Sequence, residues 1–105
     1  SVIGCYSIIN GGGNIIIGEN CLISGFVYLQ SSSHLSDRSR LMQEQGYSYK
    51  DILLENDVLI GAHSTILPGV KIATGAIVGS NSVINKNVEQ YSIVAGAPAK
   101  EIGKR

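Results

Sequence analysis

The chain has 105 residues, which is the size of one domain. Eight basic and eight acidic residues give a formal net charge of zero, which argues against electrostatic binding to nucleic acid or to an anionic membrane surface. With 44% hydrophobic and 15% charged residues, the sequence is too apolar for disorder, and no apolar run reaches the roughly 20 residues of a membrane-spanning helix. Two cysteines are too few for a disulfide framework, so we expect a cytoplasmic protein.

Two blocks of the chain repeat with a period of six residues. In the first block, residues 5–34, the first places of the hexads are Cys5, Gly11, Ile17, Ile23 and Leu29, and the fifth places are Ile9, Ile15, Cys21, Val27 and Ser33. A period of six matches neither an α-helix nor simple strand alternation, and it is typical of short strands that each point one side chain inward and then turn. Because both cysteines fall on core-facing places, we predict buried, unreactive thiols.

An insertion, residues 35–53, follows the first block, and the phase of the hexads slips by one after it. Loops of this length in compact domains are usually functional or disordered. His34 lies immediately before the insertion, after three serines that leave room beside it. Tyr47 and Tyr49 lie within the insertion, where they would either stack on the ring of a bound molecule or anchor the loop.

The second block, residues 54–89, is the more regular of the two. Its first places are Leu54, Ile60, Ile66, Ile72, Val78 and Ile84, and its fifth places are Val58, Ser64, Val70, Ala76, Ser82 and Val88. Three hexads form one triangular coil, so the eleven hexads predict about four coils of parallel strands around one aliphatic core. A tail, residues 90–105, leaves the pattern, and because Ser1 is not a start methionine we expect a further N-terminal segment.

Several stretches resemble the hexapeptide-repeat acyltransferases over essentially the whole chain. They are IGENCLISGFVYLQSSSH before the insertion, and IGAHSTILPGVKIATGAIVGSNSVINKNV with YSIVAGAPAK after it. The closest branch is the galactoside and maltose O-acetyltransferases with related polysaccharide O-acetyltransferases, whose N-terminal extension is missing here. The resemblance implies an all-β fold, a left-handed parallel β-helix with one long inserted loop. It also implies acetyl-CoA as acyl donor, no metal, and a homotrimer with its active sites between neighbouring subunits.

The resemblance also implies roles for individual residues. His34 would be the general base that removes a proton from a saccharide hydroxyl while both substrates are bound, and imidazole, with an ordinary pKa of ~6.5, suits that task near pH 7. The donor-binding candidates are Ala62 and Ser80 for the pantetheine arm, Asn85 and Lys86 near the nucleotide, and Lys100 for a phosphate. The acceptor-binding candidates are Tyr47 and Tyr49. Each position also fits an ordinary solvated turn, and for His63 we favour such a surface role.

Two alternatives stay open, and the histidine count disfavours a third. An amino-sugar N-acetyltransferase would use the same base, because an amine acceptor also loses a proton. A non-catalytic β-helix scaffold would bind no acetyl-CoA. A zinc hydratase of the γ-carbonic anhydrase type needs three histidine ligands per metal, whereas this chain has only two histidines. The saccharide acceptor rests on the branch resemblance alone.

Overall fold

Short parallel strands wind around one axis to form a β-helix in the computed structural model, which describes residues 1–105. The first coil contains β1 (Val2–Ile3), β2 (Ile8–Asn10) and β3 (Ile15–Ile17). The second contains β4 (Leu22–Ile23) and β5 (Tyr28–Gln30), then a projecting segment with β6 (Ser32–His34), a 3-10 turn (Met42–Glu44) and β7 (Tyr47–Tyr49), and it closes with β8 (Ile52–Leu54). The third contains β9 (Leu59–Ile60), β10 (Thr65–Ile66) and β11 (Lys71–Ile72). The fourth contains β12 (Ile77–Val78) and β13 (Val83–Ile84), and β14 (Ser92–Gly96) and β15 (Ala99–Lys104) end the chain.

The coils stack so that strands from successive coils form the three faces of a prism. Sheet A has the order β1-β4-β9-β12-β14-β15, sheet B the order β2-β5-β10-β13, and sheet C the order β3-β8-β11. All neighbours within the three sheets are parallel except β14 and β15. On the third face of the fourth coil, Val88 pairs with Ile72 as an isolated bridge. Each corner of the prism is therefore a column of turns that lie one above another.

The core is the stack of inward-facing side chains from successive coils. In sheet B, Leu29 pairs with Ile66 and Ile66 with Ile84, and all three are buried. Sixteen buried apolar residues form one continuous cluster along the axis. A strand of two residues cannot bury enough surface alone, so this shared core is what stabilises each coil.

The first coil differs from the predicted hexad register. Ile3 pairs with Ile23 and Ile9 with Leu29, so these isoleucines, and not Cys5 and Gly11, face inward. The physical reason is the triglycine turn after β2, which adds two residues, so that Ile17 follows Ile9 by eight positions instead of six. The prediction that Cys5 is buried is therefore wrong, because Cys5 lies in an exposed turn, whereas Cys21 is buried as predicted.

The two ends of the β-helix differ. At the end of the first coil Ile3 and Ile9 are 45% and 43% exposed. At the other end β15 folds back antiparallel on β14, and Ala99 packs against the core. Arg105 then binds the carboxylate of Asp57 at 2.8 Å, which fastens the end of the chain to the side of sheet A.

Candidate functional site

His34 lies on an antiparallel hairpin, β6–β7, that projects from the corner between sheets B and C. Leu35 donates its backbone N–H to the carbonyl of Gly46, so the next pair inward, His34 and Tyr47, is a pair without hydrogen bonds between its backbones. Side chains are closest in such pairs. The ring centroids of His34 and Tyr47 are 4.5 Å apart, with 37° between the ring planes. The imidazole is exposed and makes no side-chain hydrogen bond, so both ring nitrogens are accessible to a ligand.

Tyr49 lies two residues further along the same strand and on the same face. Its ring centroid is 6.4 Å from that of Tyr47, and the two rings are nearly parallel. Tyr49 packs directly on Gly12, where a methyl group would overlap the ring. The hairpin therefore carries a row of three rings that ends on the triglycine turn of the first coil. The structure brings together the three residues predicted for catalysis and acceptor binding.

Two buried polar side chains stabilise this part of the chain, Ser31 by bonds to the first coil and Gln45 by bonds within the insertion. Ser31 donates its hydroxyl to the carbonyl of Asn10 at 2.6 Å and accepts the N–H of Gly13 at 2.9 Å. Gln45 accepts the N–H of Asp37 at 2.7 Å and donates to the carbonyls of Asp37 and Arg40 at 2.9 and 3.1 Å. Burying a glutamine amide is favourable only when its polar atoms are bonded in this way. Neither residue was predicted, and no sequence signal distinguishes Gln45 from a solvated loop glutamine.

The turn of the insertion is stabilised by the carboxylate of Asp37. The backbone N–H and the hydroxyl of Ser39 both donate to it at 2.9 Å. These two hydrogen bonds lower the pKa of Asp37 below its usual range, the backbone donor more than the hydroxyl. The insertion is thus an ordered loop with its own hydrogen bonds.

Ala62 and Ser80 lie on a different corner, between sheets A and B. Asn81 donates its N–H to the carbonyl of Ala62 at 2.9 Å, so the two turns stack directly. Gly61 makes this stacking possible, because an added methyl would lie 2.6 Å from the backbone nitrogen of Ser80. The result is a column of small residues where a ligand can approach the backbone.

His63 lies on this same corner, at the end of a second aromatic row. Its ring stacks on Phe26 at 4.8 Å, and Phe26 stacks on Tyr6 at 5.2 Å. All three residues have φ near +60°, an uncommon backbone conformation for residues other than glycine. His63 is exposed, and no loop covers it.

The remaining donor-binding candidates line one cavity of about 450 Å³ near the end of sheet B. Its walls include Asn85, Lys86 and Lys100, with an apolar floor from Ile84, Val88, Val94 and Ala99 and two carboxylates from Glu89 and Glu101. The structure therefore brings these three candidates together. It places them apart from His34 on the hairpin, and Ala62 and Ser80 do not line the cavity.

The carboxylates of this cavity have an ion-pair partner, whereas its two lysines have none. Lys104 lies 2.9 Å from Glu101 and 3.7 Å from Glu89, so one cation serves both carboxylates. Hydrogen bonds from Lys104 and then from Ser92 lower the pKa of Glu101, and the bond to Glu101 raises the pKa of Lys104. Lys86 and Lys100 make no ion pair and no hydrogen bond. The cavity thus presents two free ammonium groups to an anionic ligand.

No three or more His, Cys, Asp or Glu side chains come together in a group that would hold a metal ion. Not one helix in the structure has the length and hydrophobicity that crossing a membrane requires.

Comparison with known proteins shows which family the chain is similar to. Residues 51–86 match the family model described as bacterial transferase hexapeptide, six repeats. Chloramphenicol acetyltransferase of Klebsiella aerogenes is 35% identical over 111 residues, covering 99% of this chain and 51% of the relative. The match spans about half of that relative's length, and 35% of the length of a probable acetyltransferase of Mycobacterium tuberculosis that is 31% identical. Over essentially its whole length the chain is similar to hexapeptide-repeat acetyltransferases.

Solved structures of family members show the same fold. A hexapeptide-repeat acetyltransferase of Vibrio cholerae O1 biovar eltor, solved with acetyl-CoA, matches 97% of this chain and 55% of its own with a TM-score of 0.91 and 31% identity. Galactoside acetyltransferase, solved with coenzyme A, matches 97% of this chain and 54% of its own with a TM-score of 0.87 and 28% identity. The prediction of a left-handed parallel β-helix is confirmed.

Proposed function

We propose that this chain is the β-helix of an acetyl-CoA-dependent O-acetyltransferase that acetylates a hydroxyl group of a saccharide or a saccharide-like acceptor. The observation that carries the proposal is the hairpin that holds His34, exposed and free of hydrogen bonds, in one row with two tyrosines. Support for the donor comes from the family members solved with acetyl-CoA or coenzyme A. The saccharide acceptor is supported by the likeness to galactoside acetyltransferase.

The proposed reaction is a direct transfer within a ternary complex. Neutral His34 removes the proton of the acceptor hydroxyl while its oxygen attacks the thioester carbonyl of acetyl-CoA. The new carbon–oxygen bond forms, the carbon–sulfur bond then breaks, and the imidazolium returns the proton to the CoA thiolate. A covalent cysteine relay does not fit, because Cys21 is buried and Cys5 lies on the corner between sheets A and B, away from the hairpin.

Binding of the donor is assigned to two parts of the prism. The pantetheine arm would run along the column of small residues at Ala62 and Ser80, beside the aromatic row that ends at His63 on the same corner. The phosphates and the nucleotide would lie toward Asn85, Lys86 and Lys100, whose two ammonium groups are free. Charge on the phosphates would replace water as the partner of these groups.

The positions of these groups favour a homotrimer. Within one subunit, His34 projects from one corner of the prism and the donor column lies on another, with sheet B between them. Two neighbouring copies would bring the hairpin of one subunit to the donor column of the next, which completes the site. A monomeric mass in light scattering at working concentration would contradict this arrangement. We further propose that the protein acts in the cytoplasm, where two free thiols stay reduced.

The test combines ligand binding with turnover. We expect acetyl-CoA to raise the melting temperature of the wild type and of His34→Ala alike, because binding to the folded state stabilises it by mass action. Release of free CoA thiol in the presence of hydroxyl acceptors should be abolished in His34→Ala and retained in His63→Ala, which removes the other histidine. Loss of turnover in His63→Ala alone would refute the assignment of the base.

The same assay separates the alternatives. Transfer to amino sugars and not to hydroxyl acceptors would identify an N-acetyltransferase that uses the same base. Absence of any acetyl-CoA shift in the wild type would indicate a non-catalytic scaffold.

A further inference from the structure

The imidazole of His34 has one neighbour that restrains it, and that neighbour is an aromatic ring. No hydrogen bond fixes either ring nitrogen, and the residue is exposed to solvent. The ring of Tyr47, with its centroid 4.5 Å away, packs against it from the opposite strand. A general base has to point one nitrogen at the acceptor proton, so something must limit its rotation.

We propose that Tyr47 is a positioning residue for His34, and that Tyr49, seated on Gly12, fixes Tyr47 in turn. This inference rests on the proposed role of His34 as general base. It gives the two tyrosines a task that differs from direct contact with the acceptor.

The backbone pairing supplies the first step of this arrangement. His34 and Tyr47 are directly opposed in a pair without backbone hydrogen bonds, the geometry in which facing side chains come closest. The 37° tilt between the ring planes is an aromatic contact geometry that restricts the imidazole on one side. The other side stays open to ligands.

The triglycine turn supplies the second step. The ring of Tyr49 occupies the space that a side chain at Gly12 would fill, and the small Ser32 lies across from Tyr49 on the paired strand. Gly12 does not have a positive φ, so its backbone conformation does not require glycine. Glycine is needed there because any side chain would overlap the ring of Tyr49. Seated in this way, Tyr49 lies beside Tyr47 and keeps it from turning away from His34.

The adjacent glycine offers a matched control. A methyl at Gly11 would meet only a carbonyl oxygen at 3.6 Å, which is ordinary contact, and Gly11 also lacks a positive φ. Gly12→Ala and Gly11→Ala therefore add the same atom to neighbouring positions, and only the first displaces Tyr49.

The structural test is NMR of the imidazole signals, which needs no substrate. Two histidines give two sets of signals, and each has one aromatic ring packed against it, so each serves as a reference for the other. We expect Tyr47→Leu and Gly12→Ala to shift the His34 ring protons by several tenths of a ppm through loss of the ring current. Tyr47→Phe and Gly11→Ala should leave them in place, and Phe26→Leu should move only the signals of His63.

The kinetic test separates positioning from acceptor binding. Loss of one aromatic contact predicts a reduction of kcat by about 2- to 10-fold in Tyr47→Leu and Gly12→Ala, with the KM for acetyl-CoA unchanged and with rescue by Tyr47→Phe. A raised KM for the acceptor with unchanged kcat would show that Tyr47 contacts the acceptor instead, which overturns the inference. Unchanged His34 signals, or shifted signals with unchanged kcat, would overturn it as well.

Different experimental results would refute the inference and the proposed function. A wild type that binds acetyl-CoA but transfers acetyl to no acceptor removes the proposed function and the inference with it. An active wild type with an unaffected Tyr47→Leu variant removes the inference alone.

Discussion

The inward-facing column of sheet B allows a test of the core at two depths. Ile9, Leu29, Ile66 and Ile84 occupy equivalent positions in successive coils. Ile66 is fully buried, so Ile66→Ala removes its buried methyl groups and leaves a cavity between two coils. Substitutions of this kind cost about 2–5 kcal/mol of the free energy of unfolding.

Ile9→Ala deletes the same atoms at the open end of the column. The side chain of Ile9 is 43% exposed, so a little over half of its transfer free energy is at stake, and no closed cavity forms. Full burial of an isoleucine contributes about 1.5–3 kcal/mol, which predicts a cost of about 0.9–1.7 kcal/mol for Ile9→Ala. Urea unfolding followed by circular dichroism measures both variants against the wild type. Equal costs for Ile9→Ala and Ile66→Ala would refute the inference that the first coil is open to solvent.

Three further predictions follow from the turns and from the end of the chain. A thiol reagent should modify Cys5 in the native protein and Cys21 only after unfolding; two reactive thiols in the native state would contradict the register described here. The pKa of Glu101 is lowered from 4.5, so its contribution to stability is present above pH 4.5 and is lost as the pH falls below that value. The pKa of Lys104 is raised from 10.5, so its contribution to stability is lost as the pH rises above 10.5. Unfolding measured against pH should therefore show a shallower acid limb in Glu101→Gln, and an unchanged limb would contradict the pairing. Gly61→Ala forces a methyl against the backbone of the next coil and should cost about 1–3 kcal/mol in urea unfolding, whereas full stability would show that the turns are not in contact.

The second block of the sequence was the easiest part to predict. From Leu54 onward the first place of each hexad is a buried aliphatic residue, and the predicted inward places through Ile84 are the observed ones. The period there is uninterrupted, so the phase is fixed by many residues at once. In the first coil the phase was lost, because the triglycine turn adds residues without adding any hydrophobic signal. A repeat that is counted along the sequence cannot distinguish a longer turn from a change of register.

The hairpin shows which part of the candidate site could not be predicted from the sequence. His34, Tyr47 and Tyr49 were singled out by their type and by the resemblance, yet nothing in the sequence places them in one row. That arrangement depends on the register of β6 against β7 and on the space above Gly12. Gln45 was missed altogether, because the hydrogen bonds that justify its burial join it to backbone atoms, which any residue has.

The antiparallel strand β15 ends the parallel stacking of sheet A. A stack of parallel coils presents at each end an unpaired edge that the next coil, or another molecule, can extend. At the far end β15 occupies the edge of β14 with its polarity reversed, so a further parallel coil has no strand of matching direction to join. Coils added by design beyond β14 should therefore be refused by sheet A for as long as β15 stays in place.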